Sequence, residues 1–398
     1  MNIKGFLGSA VSAGIKYKGR ADLGLIFSAA PSVAAAVFTQ NEVKAAPVIA
    51  GIRRLKDGPP YVRAILVNSG NANACTGPQG LADVEAAKSM TASALGVNPE
   101  DILIASTGVI GRHMPMGRIR DAIPALSAGL NEYGLDDVAR SMLTTDTVEK
   151  KATRQIEING AAVKIAGMAK GAGMIGPRLG PPQATMLAFI LTDAAMEPAF
   201  AQKALSHAAG ETFNRIIIDG DTSTNDTVFF LANGLAGNTK ISGGGPGETF
   251  LLALKGLMQE LAVQIVADGE GVTKIVTVTV SGARSPEEAD AMARTIAASP
   301  LVKTAFFGND PNWGRVLAAA GRAGFSLDQN LMDIAINGIE IVKNGQGLGD
   351  EAEARAKKIM LGKRYELRLD VGLGGARASI LTSDLSMDYV RINADYRT

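Results

Sequence analysis

The chain has 398 residues, with 40 Lys+Arg against 39 Asp+Glu, and carries 46 glycines. That length points to two or three structural units or one large double-layered core. The balanced charge, with no basic block, argues against gripping a nucleic-acid backbone or an anionic membrane. One cysteine, Cys75, cannot close an internal disulfide, and with only His113 and His207 it offers no zinc-ligand spacing. No metal is expected, and the setting is a reducing one, with the cytoplasm as default.

The opening "MNIKGFLGSAVSAGIKYKGRADLG" lacks the unbroken apolar core of a signal peptide. Nor does any later stretch reach the roughly 18 uninterrupted apolar residues of a membrane span. From there short β-branched runs alternate with longer Ala/Leu/Met-periodic segments. Strands are expected at 23–28, 64–69, 101–107, 154–160, 186–193, 214–220, 227–232, 274–282, 332–338, 365–372 and 376–383. Helices are expected at 80–95, 118–130, 196–210, 247–267, 285–298, 312–323 and 351–360. In the fourth of these, Leu251, Leu254, Leu257, Leu261 and Ile265 recur at three- and four-residue steps. The pattern is mixed α/β with no fixed-period repeat. A compositional boundary falls in the Pro/Gly turn at 176–183, and "GGGPGE" at 243–248 is a helix lead-in.

Three motifs tempt and fail. "GAGMIG" (171–176) matches the dinucleotide pattern G-x-G-x-x-G, but Pro177, Gly180, Pro181 and Pro182 deny it the helix on which pyrophosphate would sit. "DGDTSTND" (219–226) starts like a calcium loop, yet its sixth residue is Thr224 instead of glycine and its twelfth is Phe230 instead of glutamate. A serine triad would need His113 or His207, and neither has a nucleophile-elbow pattern nearby. His207, in an Ala-rich helix, suits a surface position.

In "GPPQATMLAFILTDA" (180–194) a constrained turn delivers Thr185 directly onto an apolar run. Two readings stand open. Thr185 could cap a core strand; or, were the bond after Ala184 cut, its freed α-amine, with an ordinary pKa near 8, would sit beside its own hydroxyl as a general base. Small Ala184 leaves room for the hydroxyl to reach the preceding carbonyl, and Gly-Pro-Pro can store strain.

Long stretches along the whole chain then narrow the choice. "GIKYKGRADLGLIFS", "AAVFTQNEVKAAPV", "AILVNSGNANACTGPQG", "STGVIGRHMPM", "MLTTDT", "GMAKGAGMI", "ATMLAFILTDA", "FNRIIIDGDTSTND", "VADGEGVTKIVTV", "SPLVKTAFFGNDPNWGRV" and "YVRINADYRT" occur in order. In these the chain closely resembles the ornithine acetyltransferase family, the glutamate N-acetyltransferases of the arginine pathway's acetyl cycle. The resemblance implies self-cleavage between Ala184 and Thr185, giving an α chain of residues 1–184 and a β chain of residues 185–398. It implies a layered mixed-sheet α/β sandwich of the self-processing threonine-nucleophile acyltransferase type, with a smaller C-terminal α/β lobe.

For chemistry it implies acetyl transfer from N2-acetylornithine to glutamate through an acetyl ester on Thr185, with Thr107 and Gly108 as the oxyanion hole. Substrate contacts carry over to Thr144, Lys170, Thr185, Glu270, Asn393 and Thr398. No cofactor is implied, although acetyl-CoA is admitted as a co-substrate, and two αβ units are expected to pair into a heterotetramer. The rival enzyme is a self-processing N-terminal-nucleophile amidase or aminopeptidase that gives its acyl group to water; a binding protein without covalent chemistry is a third class. One departure stands out: "KGAGMIGPRLGPPQAT" (170–185) is longer and richer in proline than the family's usual stretch from this lysine to the threonine. The lone tryptophan in "DPNWGR" (310–315) suits packing at a helix start, and "NSGNANA" (68–74) a turn.

Overall fold

A computed structural model describes residues 1–176, 179–180 (backbone only) and 186–395. Two compact units divide the chain: Met1–Asn214 with Asp221–Ile265, and Arg215–Gly220 with the described residues from Val266 onward. Each is α/β around its own mixed sheet, the second being smaller. The division falls near 214–221 and 265, not at the 176–183 turn.

In the first unit the sheet runs Ile102–Val109, Tyr61–Asn71, Leu23–Thr39, Thr227–Ala232, Leu187–Thr192, Ala161–Lys170, Lys150–Ile158. Phe6–Val11 and the two-residue strand Leu179–Gly180 also pair with Leu23–Thr39. Along the strands, alternate residues enter different cores. Leu23, Leu25, Ala64, Leu66, Ile102 and Ile104 pack into one, and Ile26, Ile65, Val67, Leu103 and Ala105 into the other. A sheet covered on both faces needs apolar residues at every position. That is why "LAFILT" and "TVFFLA" show no polar alternation and are buried throughout.

The long helix Gly244–Ala267 is apolar and long enough, by composition alone, to cross a membrane. Its Phe250, Leu254, Leu257, Leu261 and Ile265 are instead fully buried in the fold. Gly167 makes this seat possible, since a Cβ there would stand 2.7 Å from Leu257 Cδ2 and 2.8 Å from Leu261 Cδ1. The helix is also pinned at its polar side: Arg154 donates to the Gly256 carbonyl at 3.2 Å and to Glu260 at 2.7 Å.

In the second unit the order is Gln346–Gly347, Ile339–Lys343, Asp333–Ile336, Arg364–Asp370, Ile275–Ala283, Ala376–Ser383, Ile216–Ile217. Val276, Val278 and Val280 alternate into a core with Met292, Ala293 and Ile296 of the helix Pro286–Ala297. That helix opens on Ser285, whose hydroxyl accepts from the Glu288 N–H. Trp313 begins the helix Trp313–Gly321, donates its indole N–H to Glu353 at 3.0 Å and packs on Gly347, a structural post as expected.

Every expected strand and helix has a counterpart, but several elements escaped. Ala161–Lys170 ("AAVKIAGMAK") is rich in alanine and glycine, poor strand formers whose place here is fixed by the neighbours on both sides. The helices Ala46–Asp57, Leu135–Ser141, Pro300–Phe307 and Met387–Asp395 were also missed. The last buries no residue, so no apolar stripe could announce it.

Candidate active site

Within the first unit the candidate residues lie at the two ends of the long strand Leu23–Thr39: Thr107 and Gly108 beyond its Leu23 end, and Lys170 with the strand that follows Thr185 at its Thr39 end. Ala184 and Thr185 lie outside the described residues, and the description resumes at Met186. Leu187, two residues beyond Thr185, heads its strand between two neighbours: Thr227 on one side and Lys170 on the other. Thr227 donates its N–H to the Met186 carbonyl at 2.8 Å. Lys170 is therefore the last residue of its strand at the sheet end from which the strand after Thr185 departs.

Lys170 shares a buried carboxylate that sequence reasoning overlooked. Asp146 has a side chain with no solvent exposure. One oxygen accepts from Lys150 Nζ at 2.7 Å and from the Gly171 N–H at 2.6 Å. The other accepts from the Thr144 N–H at 3.1 Å and lies 3.8 Å from Lys170 Nζ. Burial alone would push this carboxyl up, but the charges of Lys170 and Lys150 and the hydrogen bonds outweigh it and bring its pKa down to about 2. Asp146 thus ties together Thr144, Lys170 and the start of the glycine-rich turn. Its signal was in plain view, an acid inside "TTDT" four residues before Lys150. The turn itself bends at 172–174, with Met174 at φ 57°.

Thr107 and Gly108 end the strand Ile102–Val109 and are half-buried. Gly108 has φ +133°, and a Cβ there would stand 2.5 Å from the Asn71 nitrogen and nearer still to the Gly70 carbonyl carbon. Only glycine fits such an approach. The partner strand answers with Gly70 at φ +96°, against which Lys16 of the "GIKYKGRADLG" loop packs. That loop is folded around Asp22, which accepts from the N–H groups of Ala13 at 2.7 Å, Gly14 at 3.2 Å and Ile15 at 2.6 Å. Its Arg20 stacks 3.7 Å above the Tyr17 ring and donates to the Leu143 carbonyl, next to Thr144.

Asn225 joins the Thr107 end to the Met186 end. Its side-chain amide donates to the Ala72 carbonyl at 2.5 Å and to the Ser106 carbonyl, one residue before Thr107, at 2.8 Å. Two residues later Thr227 grips Met186. The loop that resembled a calcium site is therefore a buckle: Thr39 donates to the Ser223 carbonyl at 2.6 Å and Asn41 to the Thr222 carbonyl at 2.7 Å. The amide of Asn225, buried and doubly used, was legible only as part of a shared stretch.

Glu270 and Asn393 belong to the second unit and meet there, although 123 residues apart: Asn393 Nδ2 donates to Glu270 Oε2 at 2.8 Å. Glu270 is buried, whereas Asn393 is exposed on its helix. Thr398 lies outside the described residues. His207 is exposed on its helix, with Nε2 3.7 Å from Glu211, in keeping with a surface role.

The ArgJ family model matches residues 8–398. The arginine biosynthesis bifunctional protein ArgJ of Geobacter sulfurreducens is 48% identical over 399 residues, covering 100% of both chains. The protein of the same name from Desulfotalea psychrophila is 49% identical, again over 100% of both. The crystal structure of the arginine biosynthesis bifunctional protein ArgJ from Bacillus halodurans superposes with a TM-score of 0.51 at 41% identity, covering 53% of this chain and 100% of that one. Matched from end to end by sequence, the chain belongs to the ArgJ family.

Proposed function

We propose that this chain transfers the acetyl group of N2-acetylornithine to glutamate by two successive displacements, through an acetyl ester on Thr185. Self-cleavage between Ala184 and Thr185 first frees the Thr185 α-amine to act as the base. Thr185 Oγ attacks the acetyl carbonyl, and the Thr107 hydroxyl and Gly108 N–H hold the oxyanion. The amide C–N bond breaks as the α-amine, having taken the hydroxyl proton, hands it to departing ornithine. Glutamate's amine then attacks the ester carbonyl, Oγ leaves with a proton, and N-acetylglutamate departs.

In this reading Lys170 and Thr144 hold the substrate α-carboxylate, an ammonium and hydroxyl suited to a planar anion. Glu270 takes a substrate ammonium, and Asn393 and Thr398 are further substrate contacts. The reaction uses no metal or organic cofactor, and acetyl-CoA serves as a second donor. The α chain (residues 1–184) and β chain (residues 185–398) stay together as cytoplasmic αβ units that pair into a heterotetramer.

The observation that carries the reading is the register of Lys170 opposite Leu187, which sets a buried cation beside the strand that follows Thr185. Family membership supports it, since the named relatives are bifunctional proteins of arginine biosynthesis. The test is intact-mass analysis of purified protein, joined to incubation with N2-acetylornithine with and without glutamate. Two fragments parted at Ala184/Thr185, and N-acetylglutamate formed only when glutamate is present, are expected. Acetate released at the same rate without glutamate would point to the amidase; a persistent 41.2 kDa chain in active enzyme would remove the base from the mechanism.

A further inference from the structure

The second unit contains a fastening that the reaction scheme above leaves unused. The loop from Glu270 to Lys274 lies against the chain from Thr382 to Asn393, and the two are joined at both ends. At one end the buried Asp384 accepts from the Thr273 N–H at 2.9 Å, the Lys274 N–H at 2.9 Å and the Thr273 hydroxyl. In the middle the Ser386 hydroxyl donates to the Gly271 carbonyl at 2.6 Å. At the other end Asn393 donates to Glu270 itself. Gly271, at φ +67°, lets the backbones close: a Cβ there would stand 2.5 Å from the Tyr389 nitrogen and 2.7 Å from Ser386 Oγ. Behind Asp384, the Lys303 ammonium is buried and donates to the Thr382 hydroxyl at 3.1 Å, the Ser383 hydroxyl at 3.2 Å and the Ser383 carbonyl. Leu385 returns its N–H to the Lys303 carbonyl at 3.2 Å.

We infer that Asp384 is a positioning residue, clamping the Glu270 loop to the segment that leads into the Asn393 helix so that Glu270 and Asn393 meet the substrate as one preset pair. Three donors converge on one carboxylate, two of them backbone N–H groups that cannot turn away. The loop is thereby fixed before any ligand arrives, which lowers the ordering cost of binding. Lys303 fixes the strand end that presents Asp384, and Ser386 sets the distance between loop and helix. This inference rests on the assignment of Glu270 to the substrate, made above.

The experiment combines a readout that needs no activity with one that does. Amide hydrogen exchange over residues 270–274 and kcat/KM for acetyl transfer from N2-acetylornithine to glutamate are measured for wild type, Asp384→Asn, Ser386→Ala, Glu270→Gln and the Asp384→Asn/Glu270→Gln double variant. Asp384→Asn is expected to speed exchange in the loop at least about tenfold and to lower kcat/KM about 10- to 100-fold, the loss a small misplacement can cause. Ser386→Ala, which leaves the core untouched, should move both readouts the same way by less. In the Glu270→Gln background the Asp384→Asn effect on kcat/KM should shrink to within about twofold, because the two act through one contact.

Unchanged exchange and kcat/KM in both Asp384→Asn and Ser386→Ala would overturn the inference, as would an Asp384→Asn loss that persists in full without Glu270. If Glu270→Gln alone leaves kcat/KM intact while Asp384→Asn still loosens the loop, the clamp stands and the assignment of Glu270 to the substrate falls.

Discussion

Asp146 in the first unit and Asp384 in the second are both buried aspartates that gather a stretch of candidate site residues, but their partners differ in kind. Asp146 faces two ammoniums, Lys150 at 2.7 Å and Lys170 at 3.8 Å, besides two N–H groups. Asp384 receives backbone N–H groups and a hydroxyl, while the nearby Lys303 bonds to Thr382 and Ser383 instead. The Asp146 arrangement is a charge centre. Its geometry depends on ionisation, and Lys170 stands farther from the carboxylate than Lys150 does. Around Asp384 the result is a fastener that fixes backbone to backbone. The same type of side chain pairs with ammoniums in one place and fastens backbone to backbone in the other.

The sharpest way to break that contrast is to remove the charge centre. Asp146→Ala strands two buried ammoniums and is expected to destabilise the first unit by about 3–5 kcal/mol, against about 1–3 kcal/mol for Asp384→Ala, whose donors are two backbone N–H groups and a hydroxyl. Denaturant unfolding of both variants checks the order, and equal losses would erase the distinction. Next in size is Thr107→Val, which keeps shape but deletes the hydroxyl. It should lower turnover about 100- to 1,000-fold while the unfolding midpoint stays close to wild type.

The pH response separates the two regions further. The Asp146 carboxyl titrates near pH 2 in the fold and at 3.8 when free, so the unfolded chain binds more protons between these values. Its stabilisation is complete above about pH 4 and disappears as pH falls through 2. Lys303 also has a depressed value, about 7 against 10.5, set by burial and only partly offset by Asp384 and Asp219. Again the unfolded chain holds the extra proton, so stability should rise as pH climbs from 7 towards 10.5. Unfolding midpoints across both windows should lose the acid slope in Asp146→Asn and the alkaline slope in Lys303→Met. The smallest effect is expected for Ser386→Ala, about 1–2 kcal/mol for two neutral hydrogen bonds, one given to the Gly271 carbonyl and one accepted from the Tyr389 N–H, by thermal unfolding.

How far the sequence could be read depended on whether a residue's partners lie nearby or across the fold. Continuous apolar runs such as "LAFILT" were visible because a sheet covered on both faces imposes them. "AAVKIAGMAK" was not, because its alanines and Gly167 answer to the helix Gly244–Ala267 packed above it. Thr107, Gly108, Thr144, Lys170, Glu270 and Asn393 are candidates only through shared stretches. The residues that hold them, Asp146, Asn225 and Asp384, were passed over, since a carboxylate or amide gives no sign in sequence of which distant N–H it will meet. The "DGDTSTND" loop is the plainest case: its spacing fails for calcium, yet its backbone and Asn225 secure the Thr107 end of the sheet.

The strand order of the first sheet has one more implication if the bond before Thr185 is cut. Leu187–Thr192 and Thr227–Ala232 lie side by side, flanked by Leu23–Thr39 on one edge and Ala161–Lys170 on the other. The two fragments would then alternate within a single hydrogen-bonded lattice, so that separating them means unfolding both. Such a pair cannot swap partners in solution, and mixing differently tagged preparations should yield no hybrids.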